Sequence, residues 1–147
     1  MRKTVAVDAS FLIVLVDKRA RGSLENGIEQ INRLIERLSS ENAKVIIPTP
    51  VLADVLTRAP QAAQAYLEQI NKCVCFQVRP FDDKAAIELA RLLGKSVVDE
   101  RDILRFDRQI VAIAKVYSAT VLYADDEKLA EFAAGSGLQA VRFKDLG

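Results

Sequence analysis

The sequence predicts a single α/β domain over residues 1–147, in which helices cover both faces of a parallel β-sheet. Five short segments rich in apolar or β-branched residues alternate with helical segments, and this alternation is typical of parallel sheets. Half of the 147 residues are hydrophobic, which is enough for one buried core. No repeat, low-complexity segment or linker divides the chain.

The elements of the first half follow from local patterns. Residues 4–7 form a β-branched run, and the apolar residues 11–16 predict a helix that packs back on the sheet. Leu and Ile recur every three or four residues over 24–38, which predicts a longer amphipathic helix. Residues 44–47 are a second strand. The pair Thr49-Pro50 then predicts a helix start, with the threonine as the cap and the proline at the first helical position.

The second half repeats the alternation. A helix resumes over 61–71 after Pro60, residues 73–78 alternate as a third strand, and Asp82-Asp83 opens the next helix. The remaining predicted elements are helices at 108–117 and 128–134 and strands at 119–122 and 139–143. Residues 95–106 are irregular and of mixed charge, and we favour a solvated loop over a substrate-contacting role for Arg101 and Arg105.

The composition excludes several kinds of site. Lys and Arg (21) nearly balance Asp and Glu (20), so a nucleic-acid partner must be held by local contacts. Without His, the chain lacks Ser-His or Cys-His catalysis and the ligands for structural zinc. Cys73 and Cys75 are interpreted as small core residues on one face of a strand rather than as a disulfide. The sequence shows neither a signal-peptide pattern nor a membrane-spanning stretch, which predicts a cytoplasmic protein.

Four aspartates are expected at one edge of the sheet. Asp8 follows the first strand, Asp125 follows the fourth, and Asp54 lies one turn into the helix after the second. Asp107 shares a helix face with the apolar stripe that follows it, so its side chain should point inward. Each acid alone could cap a helix or complement its dipole. Together the four carboxylates repel one another unless cations intervene.

An all-oxygen site of this kind selects a hard cation such as Mg²⁺ or Mn²⁺. A divalent ion at such a cluster suits the hydrolysis of a phosphodiester, since it can lower the pKa of a bound water and stabilise the reacting oxygens. No nucleophilic side chain is then required.

The ordered set of motifs resembles a PIN domain, close to the compact VapC-type toxin form, across essentially the whole chain. The motifs are Val7-Asp8-Ala9-Ser10, PVLADVL at 50–56, DRQIVAIA at 107–114, and Ala124-Asp125 after Val121-Leu122. The resemblance implies a Rossmann-like three-layer sandwich with a central parallel five-stranded sheet. It also implies a Mg²⁺- or Mn²⁺-dependent ribonuclease, with a small antitoxin as a partner and with homodimerisation.

The resemblance also assigns roles to individual residues. By position, the acidic quartet is Asp8, Asp54, Asp107 and Asp125, of which the first, third and fourth would hold metal. Ser10 matches a hydroxyl residue that supports the first acid. The family usually has Glu where this chain has Asp54, one methylene shorter. It commonly has Thr or Ser in place of Tyr123, and at the fourth position Asp126 or Glu127 could assist or replace Asp125.

Two other functions stay open. A PIN-like module that has lost activity through the changes at Asp54 and Tyr123 would serve in RNA or protein binding. A phosphotransfer or hydrolase fold of similar topology would use Asp8 as a phosphoacceptor. However, a haloacid-dehalogenase-like site requires a second Asp where this chain has Ser10, and Asp8 comes too early for a receiver domain.

Overall fold

The computed structural model describes residues 2–22, 27–94 and 105–146, and in these ranges strands and helices alternate. The strands are β1 (Thr4–Val7), β2 (Lys44–Pro48), β3 (Phe76–Arg79), β4 (Val121–Tyr123) and β5 (Gln139–Val141). The helices are α1 (Ala9–Val16), α2 (Lys18–Arg21), α3 (Gly27–Ser40), α4 (Thr49–Arg58), α5 (Ala63–Lys72), α6 (Asp83–Leu93), α7 (Phe106–Val116) and α8 (Glu127–Gly135). Short 3₁₀ turns lie at Pro60–Ala62 and Phe143–Asp145.

The five strands form one parallel sheet in the order β3-β2-β1-β4-β5, which confirms the predicted sandwich with helices flanking the sheet. The central strand β1 pairs with β2 on one side and with β4 on the other, so Ala6 lies opposite both Ile46 and Leu122. Because all strands are parallel, each connection between two strands returns the chain to the edge of the sheet where the strands begin. The carboxyl ends of β1, β2 and β4 therefore lie side by side, as the site prediction requires.

The core lies on and around β1. Val5, Ala6 and Val7 are fully buried, which is typical of a central strand of a parallel sheet. The first turn of α1 is fixed at the same edge, because the Phe11 ring packs against Tyr123 and Phe143 at centroid distances of 5.4 and 4.3 Å. This aromatic cluster holds together the chain segments that leave β1, β4 and β5.

Helix α4 begins differently from the prediction. Thr49 is the first helical residue rather than the cap, and Pro48 precedes it with an extended backbone and no side-chain capping bond. Because Pro48 is also the last residue of β2, strand and helix are joined without a connecting loop. The helix leaves the sheet edge directly, which brings Asp54 within one and a half turns of that edge.

Cys73 and Cys75 form a disulfide, which shows that their interpretation as unpaired core residues was wrong. The predicted strand over 73–78 begins only at Phe76, because α5 continues to Lys72 and residues 73–75 form the turn between them. The sulfurs therefore do not follow the pleat of a strand. The turn brings the two Cα atoms to 5.2 Å, a separation that a disulfide spans.

Two predicted features lie partly outside the described residues. The helix predicted over 24–38 is described as α3 from Gly27, and of the mixed-charge stretch only Arg105 and Phe106 are described, so Arg101 is not. Among the helices of the described ranges, none is long and apolar enough to cross a membrane.

Candidate active site at the carboxyl edge of the sheet

Asp8 lies at the carboxyl end of the central strand and is 5% exposed. Its backbone N–H continues the β1–β4 ladder by donating to the Tyr123 carbonyl. Its carboxylate accepts two backbone N–H groups, Phe11 on Oδ1 at 2.9 Å and Asp125 on Oδ2 at 3.0 Å. The first bond caps α1. The second ties the ends of β1 and β4 together.

Burial raises the pKa of Asp8 from 3.8 to about 6, because the charged carboxylate loses its water. The two N–H groups lower this pKa, the negative charge of Asp125 raises it, and the positive charge of Arg58 lowers it. The carboxylate is thus held by two amides but lacks a cation in direct contact among the described residues. A positive charge placed beside it would favour its ionised form.

Asp125 follows β4 after Ala124 and lies next to Asp8. Its Oδ1 accepts the N–H of Phe143 at 3.1 Å, and the Arg142 guanidinium donates to its main-chain carbonyl at 2.8 Å. The same Arg142 Nε is 3.9 Å from Oδ1. The segment after β5 therefore fixes Asp125 from the side opposite Asp8.

Asp54 lies on α4, where Arg58 binds both of its carboxylate oxygens at 2.8 and 3.0 Å. The Asp54 side chain is 44% exposed, so this ion pair lies at the surface of the edge. The positive charge of Arg58 also lowers the pKa of Asp8, so this guanidinium acts on both acids.

Asp107 lies in the first turn of α7, as predicted, and its side chain is mostly buried. Arg105 donates to both oxygens at 3.3 and 3.2 Å, and the N–H of Arg108 donates to Oδ1 at 2.9 Å. The Arg108 guanidinium stacks over the Phe132 ring at 4.0 Å from its centroid. The Asp107 carboxylate is therefore bound by residues at the N-terminal end of its own helix.

The three supporting residues differ in position. Ser10 is half-buried in the first turn of α1, beside Asp8. Asp126 caps α8 by accepting the N–H of Leu129 at 2.9 Å, and Glu127 is exposed in the first turn of the same helix. The carboxylate of Asp126 thus serves the helix, whereas that of Asp125 points towards the segment after β5.

The fit to a divalent cation follows from this donor set. Asp8 and Asp125 lie close enough for the charge of Asp125 to raise the pKa of Asp8, and carboxylate oxygens are the ligand type that Mg²⁺ and Mn²⁺ prefer. In the described part of the chain, no three His, Cys, Asp or Glu side chains stand close enough to hold a metal. The carboxylates of Asp54 and Asp107 form ion pairs with arginines instead. The Asp8–Asp125 pair therefore has the ligand chemistry that a cation requires, and a complete site needs further ligands beyond these two carboxylates.

The arginines were the part of the site that sequence reasoning found least well. Arg58 lies four residues after Asp54, a spacing at which two side chains on one helix face can pair. Arg105 lies in the stretch predicted as a solvated loop, and in the structure it binds Asp107. Arg142 gives no local signal, because it meets Asp125 only after β5 has paired with β4.

Comparisons with known proteins place the fold. Neither a family model nor a curated protein matches the sequence. A crystal structure of VapBC2 from Rickettsia felis, bound to a DNA fragment from its promoter, matches with a TM-score of 0.61 and 12% identity. That match covers 95% of this chain and 98% of the other. A crystal structure of DNA-bound VapBC from Salmonella typhimurium matches with a TM-score of 0.62 and 16% identity, covering 97% and 99%. The resemblance to PIN domains of the VapC type is thereby confirmed at the level of the fold.

Proposed function

We propose that the chain is a metal-dependent endoribonuclease that hydrolyses RNA phosphodiester bonds and acts as the toxin of a toxin–antitoxin pair. The observation that carries this is the convergence of Asp8 and Asp125 at the carboxyl edge of a sheet with this fold. The two residues are 117 positions apart in the chain, and the N–H of one binds the carboxylate of the other. Asp8 caps α1 through the Phe11 N–H alone, so capping does not require the bond from the Asp125 N–H.

The residues would divide the work as follows. Asp8, Asp107 and Asp125 would hold Mg²⁺ or Mn²⁺, and Asp54 would position the attacking water. When bound, the ion lowers the pKa of water and stabilises charge on the phosphate oxygens. The buried position of Asp8 excludes bulk water around its carboxylate, and Phe11 and Asp125 fix its oxygens through their N–H groups.

The arginines at this edge have a second use on RNA. The overall charge of +1 does not attract a polyanion, so local cations must hold the phosphates. Arg58 and Arg105 are partly exposed beside the acids and would contact the backbone on either side of the cleaved bond. If these two arginines bound phosphate instead of Asp54 and Asp107, the carboxylate oxygens of the two aspartates would become free to bind the metal.

The proposed partner is a small antitoxin that covers the acidic edge by inserting an arginine. Two structural neighbours are VapBC structures, which supports a paired system. The arginine contacts already made by Asp54 and Asp107 are of the kind such an insertion would reproduce. A homodimer and a cytoplasmic location belong to the same proposal.

The test is cleavage of structured and unstructured RNA with Mg²⁺ or Mn²⁺. We expect Asp8→Asn to lower the rate at least about 100-fold, because it removes a charged ligand at the centre of the site. Asp82→Asn is the matched control, since Asp82 also caps a helix after a strand but lies away from the acids. Equal rates for wild type and Asp8→Asn would overturn the proposal.

A second candidate is a catalytically weakened module that binds RNA or protein. The ion pairs that occupy Asp54 and Asp107 favour it. Titration calorimetry with Mn²⁺ separates the two, because a folded chain that takes up no metal supports the binding module.

A further inference from the structure

One large aromatic side chain is exposed next to the acidic edge. Phe106 is the first residue of α7 and is 68% exposed, and it immediately precedes Asp107. The other large exposed hydrophobic side chains of the described ranges are aliphatic: Ile28, Val74 and Ile87. A single exposed hydrophobic residue needs no explanation by itself, so the significance of the Phe106 ring depends on what surrounds it.

Phe106 lines an open cavity of about 730 Å³ together with a wall contributed by α4. The α4 wall consists of Thr49, Pro50, Ala53, Asp54 and Thr57. Pro50, Ala53 and the phenyl ring make this space largely apolar. The Thr57 hydroxyl donates to the Ala53 carbonyl at 2.7 Å and so stays within the helix. An open, mostly apolar space lined by an aromatic ring can accept a planar ring system.

The cavity includes one of the candidate site residues. Asp54 lines it, and Asp107 is the next residue after Phe106. Arg58, which binds Asp54, is partly exposed. Arg105, which directly precedes Phe106 and binds Asp107, is also partly exposed. An exposed aromatic ring flanked by cations is the combination that binds single-stranded nucleic acid, with the base on the ring and the phosphates on the cations.

We propose that the cavity between Phe106 and α4 is a nucleobase subsite, in which a base beside the cleaved phosphate of single-stranded RNA stacks on Phe106. This inference rests on the proposed ribonuclease function and adds to it a position that binds a base. Duplex RNA does not fit, because its bases are already stacked on one another. The partly exposed Arg58 and Arg105 favour a polyanion over an apolar protein segment as the occupant.

The direct test places a fluorophore in the cavity. The chain has no Trp, so Phe106→Trp introduces a single indole. We expect its fluorescence to be quenched when a short single-stranded RNA binds, because the base stacks on the indole. Ile87→Trp is the matched control, since Ile87 is 70% exposed on α6 and is not part of the cavity lining. Its fluorescence should not change.

Affinity provides a second measurement. In an Asp8→Asn background, which prevents cleavage, Phe106→Ala should weaken RNA binding about 5- to 100-fold, and Phe106→Tyr should restore it. An oligonucleotide with one abasic position at the subsite should bind Asp8→Asn and Asp8→Asn/Phe106→Ala with equal affinity. In the active background the same change should raise KM more than it lowers kcat.

The outcomes separate the subsite from the function. If wild type cleaves RNA but RNA leaves the Phe106→Trp fluorescence unchanged, the subsite is overturned and the ribonuclease function stands. If the indole responds to protein concentration instead of to RNA, the face is a contact between two copies of the chain, which also overturns the subsite. If wild type cleaves no RNA, the function fails whatever the fluorescence shows.

Discussion

Asp8 and Asp82 occupy the same local motif in two regions of the sheet edge. Each follows a strand and caps the next helix, with φ and ψ of −89° and −177° at Asp8 and −90° and −172° at Asp82. The carboxylate of each accepts the backbone N–H of the residue three positions later, at 2.9 Å. Locally, the two aspartates cannot be told apart.

Their surroundings differ because β1 is central and β3 is an edge strand. Asp8 is buried between two neighbouring strands, and its second oxygen meets the N–H of Asp125. The second oxygen of Asp82 accepts the Tyr117 hydroxyl, and that bond lowers the pKa of Asp82. The comparison teaches that a capping aspartate becomes a candidate site residue only when a neighbouring strand brings a second acid to it.

The largest expected effect is on the pH dependence of stability. In metal-free protein the pKa of Asp8 is about 6, above its value of 3.8 in the unfolded chain. The folded state therefore binds more protons between pH 4 and 6, and Asp8 lowers the free energy of unfolding as pH rises through that window. The decrease is on the order of 3 kcal/mol.

Urea unfolding with a chelator present measures this effect. The difference between wild type and Asp8→Asn isolates Asp8 from carboxyls such as Asp82, whose lowered pKa acts in the opposite direction. If the free energy of unfolding depended on pH in the same way for the two proteins, Asp8 would not be desolvated in solution.

The next effect is metal-linked stabilisation. A divalent ion that binds only the folded chain stabilises it by about 2.7 kcal/mol at 100 times its Kd. We expect Mn²⁺ to raise the Tm of wild type and of Asp82→Asn but not of Asp8→Asn. A thermal shift that persists in Asp8→Asn would place the cation elsewhere.

A smaller effect is expected at the opposite edge of the sheet. The Cys73–Cys75 disulfide closes a loop with a sequence separation of only 2, just before β3. A loop this short contributes about 1–2 kcal/mol in the chain-entropy treatment. The double variant Cys73→Ser/Cys75→Ser should lose Tm and keep its response to Mn²⁺. Loss of that response would mean that β3 helps to position the acids.

The smallest expected effect is on the Tm of a variant that loses the hydrogen bond to Asp82. Tyr117→Phe removes the hydroxyl that lowers the pKa of Asp82. A depressed pKa contributes stability above the unfolded value, and this contribution is lost on acidification through the folded pKa. The variant should therefore have a slightly lower Tm at pH 7, and the difference should shrink in acid. RNA cleavage should stay at the wild-type rate, and a marked decrease would give Asp82 a part in the site.

The order of strands and helices was predictable because hydrophobic periodicity and strand-end acids are local signals. Asp8 at a strand end and Asp107 on the inward face of a first turn both followed from spacing alone. The start of β3 was not predictable in this way, since the alternation of residues 73–75 continues the strand pattern while the chain is still turning. The disulfide was missed for the same reason.

The contacts among the acids depend on tertiary structure. Arg58 was readable four residues after Asp54 on one helix face. Arg142 reaches Asp125 only because β5 lies beside β4, and the N–H of Asp125 reaches Asp8 only because β4 lies beside β1. Neighbouring positions in a sheet are not encoded in the spacing of residues along the chain.

The central position of β1 has a consequence for when the acidic edge of the sheet can form during synthesis. The first strand to be synthesised must wait for β2 on one side and for β4, more than 100 residues later, on the other. Such long-range pairing is slow, because loop closure precedes the contacts that reward it. A nascent chain still on the ribosome and shorter than about 125 residues has no second acid beside Asp8. The acidic edge of the sheet can therefore form only after β4 has been synthesised and has paired with β1.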